Sequence, residues 1–226
     1  MKVCGFFTFG ENGREILLMK TTLIYLAAGG SVRFGEENKL LYPIDGVPMY
    51  RCLLDRLEKI CGERDGYGLL VVTRYDEIAE HCRARGIAYA DSPDSVKGAS
   101  YSIRRGLCAA AESDAYVFFT ADQPYFTAES AAGFFDFMEA SSFSLGCAAH
   151  NGESGNPVWF GQKYRDELLA LEGDRGGKRV MKAHMDECVM YEIEDGRELT
   201  DIDERTQDFN ENPALTQELT AKLVAL

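Results

Sequence analysis

The apolar run Thr22-Leu23-Ile24-Tyr25 leads into Leu26-Ala27-Ala28-Gly29-Gly30-Ser31-Val32-Arg33-Phe34-Gly35, and Lys39-Leu40-Leu41 follows shortly after. A strand that stops at a glycine pair, with an arginine and a lysine in the loop beyond, constrains the fold more than any other segment. Glycine lets the backbone turn through positive φ and approach a ligand closely. Successive backbone N–H groups in such a turn form a concave anion site, to which Arg33 and Lys39 add full charge. The junction therefore predicts a polyphosphate-binding loop at the end of a buried strand. It is not a P-loop, because no Gly-Lys-Ser/Thr closes it. It is not a dinucleotide fingerprint either, because Gly29, Gly30 and Gly35 are spaced wrongly and Pro43 interrupts any helix.

Beyond residue 20 the chain alternates strand-like and helix-like segments, which predicts βαβ units and a mainly parallel sheet. Strands are expected at 23–27, 69–73, 88–90, 116–120, 145–149 and 189–193. Helices are expected at 49–61, 76–85, 100–111, 128–138, 164–169 and 178–185. The runs 69–73 and 116–120 are nearly continuous in apolar residues, as strands covered on both faces should be. Ile103, Leu107 and Ala110 recur at helical spacing and should face the sheet. With 226 residues, 46% of them hydrophobic, the chain can bury one sizeable α/β core.

The formal net charge is −13, which disfavours nucleic acid and anionic membranes as partners. A small anionic substrate would need Arg33, Lys39 and a divalent metal to reverse that field locally. Seven cysteines are scattered without C-x-x-C spacing, which points to reduced thiols in a cytoplasm. His81, His150 and His184 are far apart and suggest no metal cluster. The sequence carries no signal-peptide pattern and no apolar stretch of membrane-spanning length.

Four further segments carry chemistry. In Phe118-Phe119-Thr120-Ala121-Asp122-Gln123-Pro124 a buried strand ends and a carboxylate lies just past its carboxyl end, on the edge where open parallel sheets bind ligands. Asp122 is there a candidate ligand for Mg²⁺, which takes oxygen donors and bridges phosphates; the other reading is a turn cap. Gly98-Ala99-Ser100-Tyr101-Ser102 reads as a loop entering a helix, whose N-terminus offers N–H groups to an anion, or where Ser100 is simply the N-cap. Gly155-Asn156-Pro157 leads a strand as a turn. Gly173-Asp174-Arg175-Gly176-Gly177 is a loop able to close over a substrate, or a surface turn with a local Asp174–Arg175 ion pair.

The ordered set resembles the molybdenum cofactor cytidylyltransferase family within the MobA-like NTP transferases. That family's pattern is L-A-A-G-x-S-x-R-M-G, K-L-L and G-x-P, then G-[MA]-[SG]-x-S, A-D-x-P, R-G-N-P-V-x-F, L-x-x-L-x-G-D-x-G and a closing D-I-D-T. Here the segments are 26–35, 39–41, 46–48, 98–102, 121–124, 154–160, 168–177 and 201–209, covering about residues 22–209. Phe34 replaces the usual methionine. Ser154 replaces an arginine, with Lys163 and Arg165 the nearest cations able to stand in for it. Glu204 and Arg205 depart from the closing motif.

The resemblance implies a three-layer α/β/α nucleotidyltransferase, Rossmann-like, with a mostly parallel central sheet. Residues 1–18 would be an upstream extension, with a small hairpin turning at Gly10 to Gly13 as the alternative; 19–211 would be the transferase domain and 212–226 a helical tail. The implied reaction joins CTP and Mo-molybdopterin to give a cytosine dinucleotide cofactor and pyrophosphate. Arg33, Lys39 and Asp122 would be catalytic. Leu26, Ala27, Ala28, Gly29, Gly30, Ser31, Gly98, Ser100 and Ser102 would bind nucleotide. Asn156, Pro157, Asp174 and Arg175 would bind the second substrate. Mg²⁺ would sit on Asp122, with Asp174 and Asp201 as further candidate ligands. A client molybdenum hydroxylase would be the implied protein partner.

Two other readings are open. One is a related guanylyltransferase or sugar-phosphate nucleotidyltransferase; Ala99 stands where the guanylyl branch usually has proline. The other is a non-catalytic molybdopterin carrier, which would have no use for a metal–triphosphate site. An NAD-dependent oxidoreductase is disfavoured, because no acidic residue ends the second strand at Thr73.

Overall fold

The computed structural model describes residues 8–9, 15–16, 19–30, 34 and 38–203. Ser31, Arg33, the end of the closing motif and the tail at 212–226 lie outside the described residues. Seven strands form the central sheet: β1 (Thr21–Ala27), β2 (Tyr67–Thr73), β3 (Ala88–Asp91), β4 (Ala115–Thr120), β5 (Leu145–His150), β6 (Glu153–Gly161) and β7 (Cys188–Glu192). Their spatial order is β7-β5-β6-β4-β1-β2-β3. All pairings are parallel except those of β6, which runs antiparallel to both β4 and β5. Thr8–Phe9 and Glu15–Ile16 pair antiparallel as a separate two-stranded element.

Alternation along β1 sorts the two faces. Leu23, Tyr25 and Ala27 join one cluster with Val71, Val117 and Phe119, while Ile24 joins another with Val72, Tyr116 and Phe118. The first face is covered by α1 (Met49–Glu63), α2 (Asp76–Arg85) and α4 (Ala128–Ala140), through residues such as Leu53, Ile78 and Phe135. The second is covered by α3 (Ala99–Ala109), α5 (Arg165–Leu169) and α6 (Lys178–Ala183), through Ile103, Leu107, Leu168 and Met181. The result is helix–sheet–helix layering, as expected. The strands expected between 23 and 193 and the helices expected between 49 and 185 form, within a few residues at their ends, while the helical tail expected at 212–226 lies outside the described residues.

The exception is β6, where a turn leading a strand was expected at 155–157 and a nine-residue strand runs straight through it. Pro157 lacks an N–H and Gly155 lacks a side chain, so both argue against a strand in sequence. The ladder accommodates them with a register shift between Ser154 and Val158.

A buried hydroxyl ties the sheet to α1. Tyr25 Oη donates to the Tyr50 carbonyl at 2.8 Å, and both residues are buried. Tyr25→Phe should cost about 1 kcal/mol, lowering the melting temperature by roughly 2–4 °C. An unchanged melt would show that the bond contributes nothing net.

Between β1 and β4 the chain reverses the direction in which it builds the sheet, because β2 and β3 lie on one side of β1 and β4 on the other. Such a switch point opens a crevice at the carboxyl ends of the strands. Ala27, Thr73 and Thr120 end their strands on that rim.

Candidate active site

Ala28, Gly29 and Gly30 leave β1 at the switch point and border a cleft of about 680 Å³. Lys39, Arg74, Gly98, Ser102 and Asp203 line it as well. Five segments separated in sequence therefore meet there: the glycine loop with the Lys39 turn, the turn after β2, the start of α3, the loop at Asp174 and the chain after β7. A larger cleft of about 750 Å³ lies between α1 and α4, lined by Arg56, Lys59 and Ala128 among others. It holds none of Gly29, Lys39 or Asp203, so the smaller one is the better candidate on chemical grounds.

Lys39 opens a short 3₁₀ turn (Lys39–Leu41), fixed by the Asn38 side chain accepting the Leu40 N–H at 3.1 Å. Its residue surface is only 5% exposed. The ammonium donates to Asp122 Oδ2 at 2.8 Å and to Asp203 Oδ1 at 2.9 Å. Burial by itself would push this lysine down. The charge and hydrogen bond of Asp122, and then those of Asp203, outweigh that effect, so it sits above the ordinary lysine value and stays protonated.

Asp122 is held by its backbone. Ala121 N–H donates to Leu26 O at 3.1 Å, extending the β4–β1 ladder by one residue, and Ile202 N–H donates to Asp122 O at 2.8 Å. That second bond belongs to a strap over residues 196–203. Gln123 Nε2 donates to Leu199 O at 3.0 Å, and Glu198 Oε2 accepts from Thr127 N–H at 2.8 Å and from Thr127 Oγ1 at 3.0 Å. Thr127 is the N-cap of α4, accepting from Ser130 N–H with its own hydroxyl. Glu198→Ala should destabilise the fold by about 1–2 kcal/mol, read as a lower melting temperature. Equal melts would mean the strap is held by its other contacts alone.

Asp201 lies on the same strap. Desolvation and then the charge of Asp122 raise its carboxyl to about 6. Because the residue is exposed at its surface, the like charge is the cause that the arrangement supports better. Ile202 between the two aspartates is fully buried and anchors them.

At the start of α3, Gly98 has φ +130°. Ser100 Oγ donates to Gly173 O at 2.7 Å and Ser100 N–H donates to the same oxygen at 3.3 Å, so this serine links two segments rather than capping its helix. Asp174 Oδ1 accepts the Ala99 N–H at 3.3 Å, and the exposed Arg175 follows it. On the other side of the rim, Asn156 Nδ2 lies 3.5 Å from Thr120 Oγ1, next to a buried Pro157. Leu26 and Ala27 lie within β1 and shape the loop through the backbone.

Lys163 and Arg165 do not stand in for an arginine at Ser154. They lie beyond the other end of β6, where Lys163 pairs with Glu187 and Arg165 bonds Leu107 O. The histidines serve local structure: His150 Nδ1 bonds Ile193 O at 2.8 Å and His184 bonds Glu167.

Three functional features escaped the sequence reading. Asp203 grips Lys39, although Asp201 was the aspartate singled out. Tyr75 Oη donates to Gly29 O at 2.7 Å, pinning the glycine loop. Arg74 Nη2 donates to that same hydroxyl at 2.9 Å, with its guanidinium 4.9 Å from the Tyr75 ring. The repeated aspartate around a buried isoleucine could have flagged Asp203; nothing in the sequence flags Arg74 or Tyr75.

The family model for the MobA-like NTP transferase domain matches residues 23–188. The chain belongs to the MobA-like NTP transferase family. Its activity class is nucleotidyl transfer. Among curated proteins the sequence has no match. Among solved structures, Rv0371c from Mycobacterium tuberculosis H37Rv is similar at a TM-score of 0.70 and 21% identity, covering 87% of this chain and 98% of that one. The same protein is also known in complex with manganese, similar at a TM-score of 0.66. CMP:2-keto-3-deoxy-manno-octonic acid synthetase complexed with CTP gives 0.65 at 12% identity, covering 88% and 99%. Molybdopterin-guanine dinucleotide biosynthesis protein A from Archaeoglobus fulgidus gives 0.63 at 15% identity, covering 87% and 99%. At these identities the likeness is one of fold. Among the described residues of this MobA-like protein no helix is long and apolar enough to cross a membrane.

Proposed function

We propose that this protein transfers CMP from CTP to the terminal phosphate of Mo-molybdopterin, releasing pyrophosphate. The observation that carries the reading is one buried lysine ammonium, gripped by Asp122 and Asp203, facing the cleft that the glycine loop and the start of α3 share. Such a cleft offers what an in-line phosphoryl displacement needs, namely positioning and positive charge. Gly29, Gly30 and Ser31 would hold the β- and γ-phosphates through backbone N–H groups. Arg33 and Lys39 would neutralise the leaving pyrophosphate. Gly98, Ser100 and Ser102 would border the nucleoside. Asn156, Pro157, Asp174 and Arg175 would meet the acceptor. The attacking phosphate is already an anion, so no general base is required.

The donor set at Lys39 suits a hard cation, since Asp122 and Asp203 bring carboxylate oxygens to one point. Among the described residues no three His, Cys, Asp or Glu converge as a ready metal site. Phosphate and water oxygens would complete the shell, as is usual for Mg²⁺. When bound there, the cation supplies charge neutralisation at the phosphate oxygens; Asp122 and Asp203 would hold it, with Asp201 beside them.

Support for cytosine over guanine comes from Ala99, where proline is usual in the guanylyl branch. Pyrophosphate release from CTP, GTP or ATP, with Mg²⁺ and molybdopterin present, tests the reading. Release with CTP alone supports it. Release with GTP alone moves the protein to the guanylyl branch. No release from folded protein that binds the pterin favours a carrier.

A further inference from the structure

Lys39 does something in this arrangement that a phosphate-binding lysine need not do. Its ammonium donates to two carboxylates that lie far from it and from each other in the chain, at 2.8 Å and 2.9 Å. The contacts with Asp122 and Asp203 are 83 and 164 residues apart in sequence. The lysine is almost entirely buried, while the Asp122 and Asp203 side chains keep 23% and 35% of their surface. A point charge with rotatable donors, enclosed by carboxylate oxygens that remain reachable from solvent, stands where a small cation would otherwise sit.

We infer that Lys39 is a built-in placeholder for the divalent cation, so that metal and ammonium compete for Asp122 and Asp203. The inference rests on the nucleotidyltransferase reading above. With no nucleotide bound, the ammonium neutralises both carboxylates and keeps metal affinity low. A triphosphate in the cleft offers Lys39 a second set of anionic partners. As the ammonium moves to those oxygens, the two aspartates become available to the metal. Metal and nucleotide then bind as a coupled pair, and metal alone binds weakly. The four-carbon stem of lysine permits that movement with little backbone change.

The test uses Mn²⁺ alone, without nucleotide, and reads binding by electron paramagnetic resonance of the free ion. Removing a positive charge would ordinarily be expected to leave a lysine-dependent enzyme worse at everything. Here Lys39→Met should bind Mn²⁺ on the order of ten- to a hundredfold more tightly than the unaltered protein, because it lifts a competing charge at hydrogen-bond distance. Lys39→Gln, which keeps two N–H donors without the charge, should shift in the same direction. It also serves if the methionine variant does not fold. Thermal melting gives an independent readout, in which Mn²⁺ should raise the melting temperature of either variant more than that of the unaltered protein. Equal or weaker Mn²⁺ binding by both variants overturns the inference, as does absence of Mn²⁺ binding in all three proteins. Turnover of CTP by the unaltered protein, alongside equal Mn²⁺ affinities, would sink the placeholder and leave the function standing. Tighter Mn²⁺ binding by the variants, with no CTP turnover by the unaltered protein, would do the reverse.

Discussion

Replacing Asp122 by alanine is expected to lower the rate of pyrophosphate release on the order of a hundredfold or more, and Lys39→Ala to do the same. The two losses have different origins. Asp122 lies just past the end of β4, next to the glycine-bearing strand, and its backbone is bonded to Ile202, so alanine there leaves the frame intact and removes only the carboxylate. Lys39→Ala removes a cation and leaves Asp122 and Asp203 facing each other's charge. Single-turnover rates, measured with circular dichroism to show that each variant is folded, separate chemistry from stability. The double variant should be far less than multiplicatively worse, since residues acting as a unit are non-additive. Near-normal turnover in either single variant would remove that residue from the reacting site.

Gly98→Ala is the second large effect expected. At φ +130° an L-residue is strained wherever it stands. A Cβ there would also meet the Gly173 carbonyl oxygen, its carbon at 2.5 Å and Asp174 N at 2.7 Å, all backbone atoms that cannot rotate away. The segment at 173–174 would have to leave the start of α3, breaking the Ser100 bonds to Gly173 O and the Asp174 contact with Ala99 N–H. The combined cost should be about 2–4 kcal/mol, or roughly 4–16 °C in melting temperature. The apparent affinity for nucleotide should fall with it. An alanine variant with an unshifted melt would mean that these two segments do not meet in solution as described.

The sheet was legible because its strands announce themselves. Val71-Val72 and Val117-Phe118-Phe119 are buried on both faces, and continuous apolar runs read plainly as such strands. Helix α3 was legible from the helical spacing of Ile103 and Leu107, and α2 ends at the left-handed Gly86. The strand β6 was hidden by Gly155 and Pro157, whose local preferences oppose the pairing that neighbouring strands impose on both sides. Lys39 and Asp122 could be named from sequence because each is a charged group in a loop beyond a buried strand, Lys39 in the glycine loop after β1 and Asp122 just past β4. Their direct contact could not, since it depends on which strands are neighbours. Arg74 and Tyr75 were invisible for a similar reason. An arginine and a tyrosine after a strand are ordinary until the strand order places them beside Gly29.

The strap over 196–203 sets an order of events for a chain made from its amino end. Lys39 and the glycine loop are synthesised first, and Asp122 can reach the ammonium once β4 has joined β1. Asp203 is made after all seven strands, on the strap that Glu198 bonds to Thr127 and Ile202 bonds to Asp122. Until then the ammonium has one described carboxylate against it instead of two. A chain that ends short of the strap lacks Asp203, and Lys39 then keeps Asp122 as its described carboxylate partner.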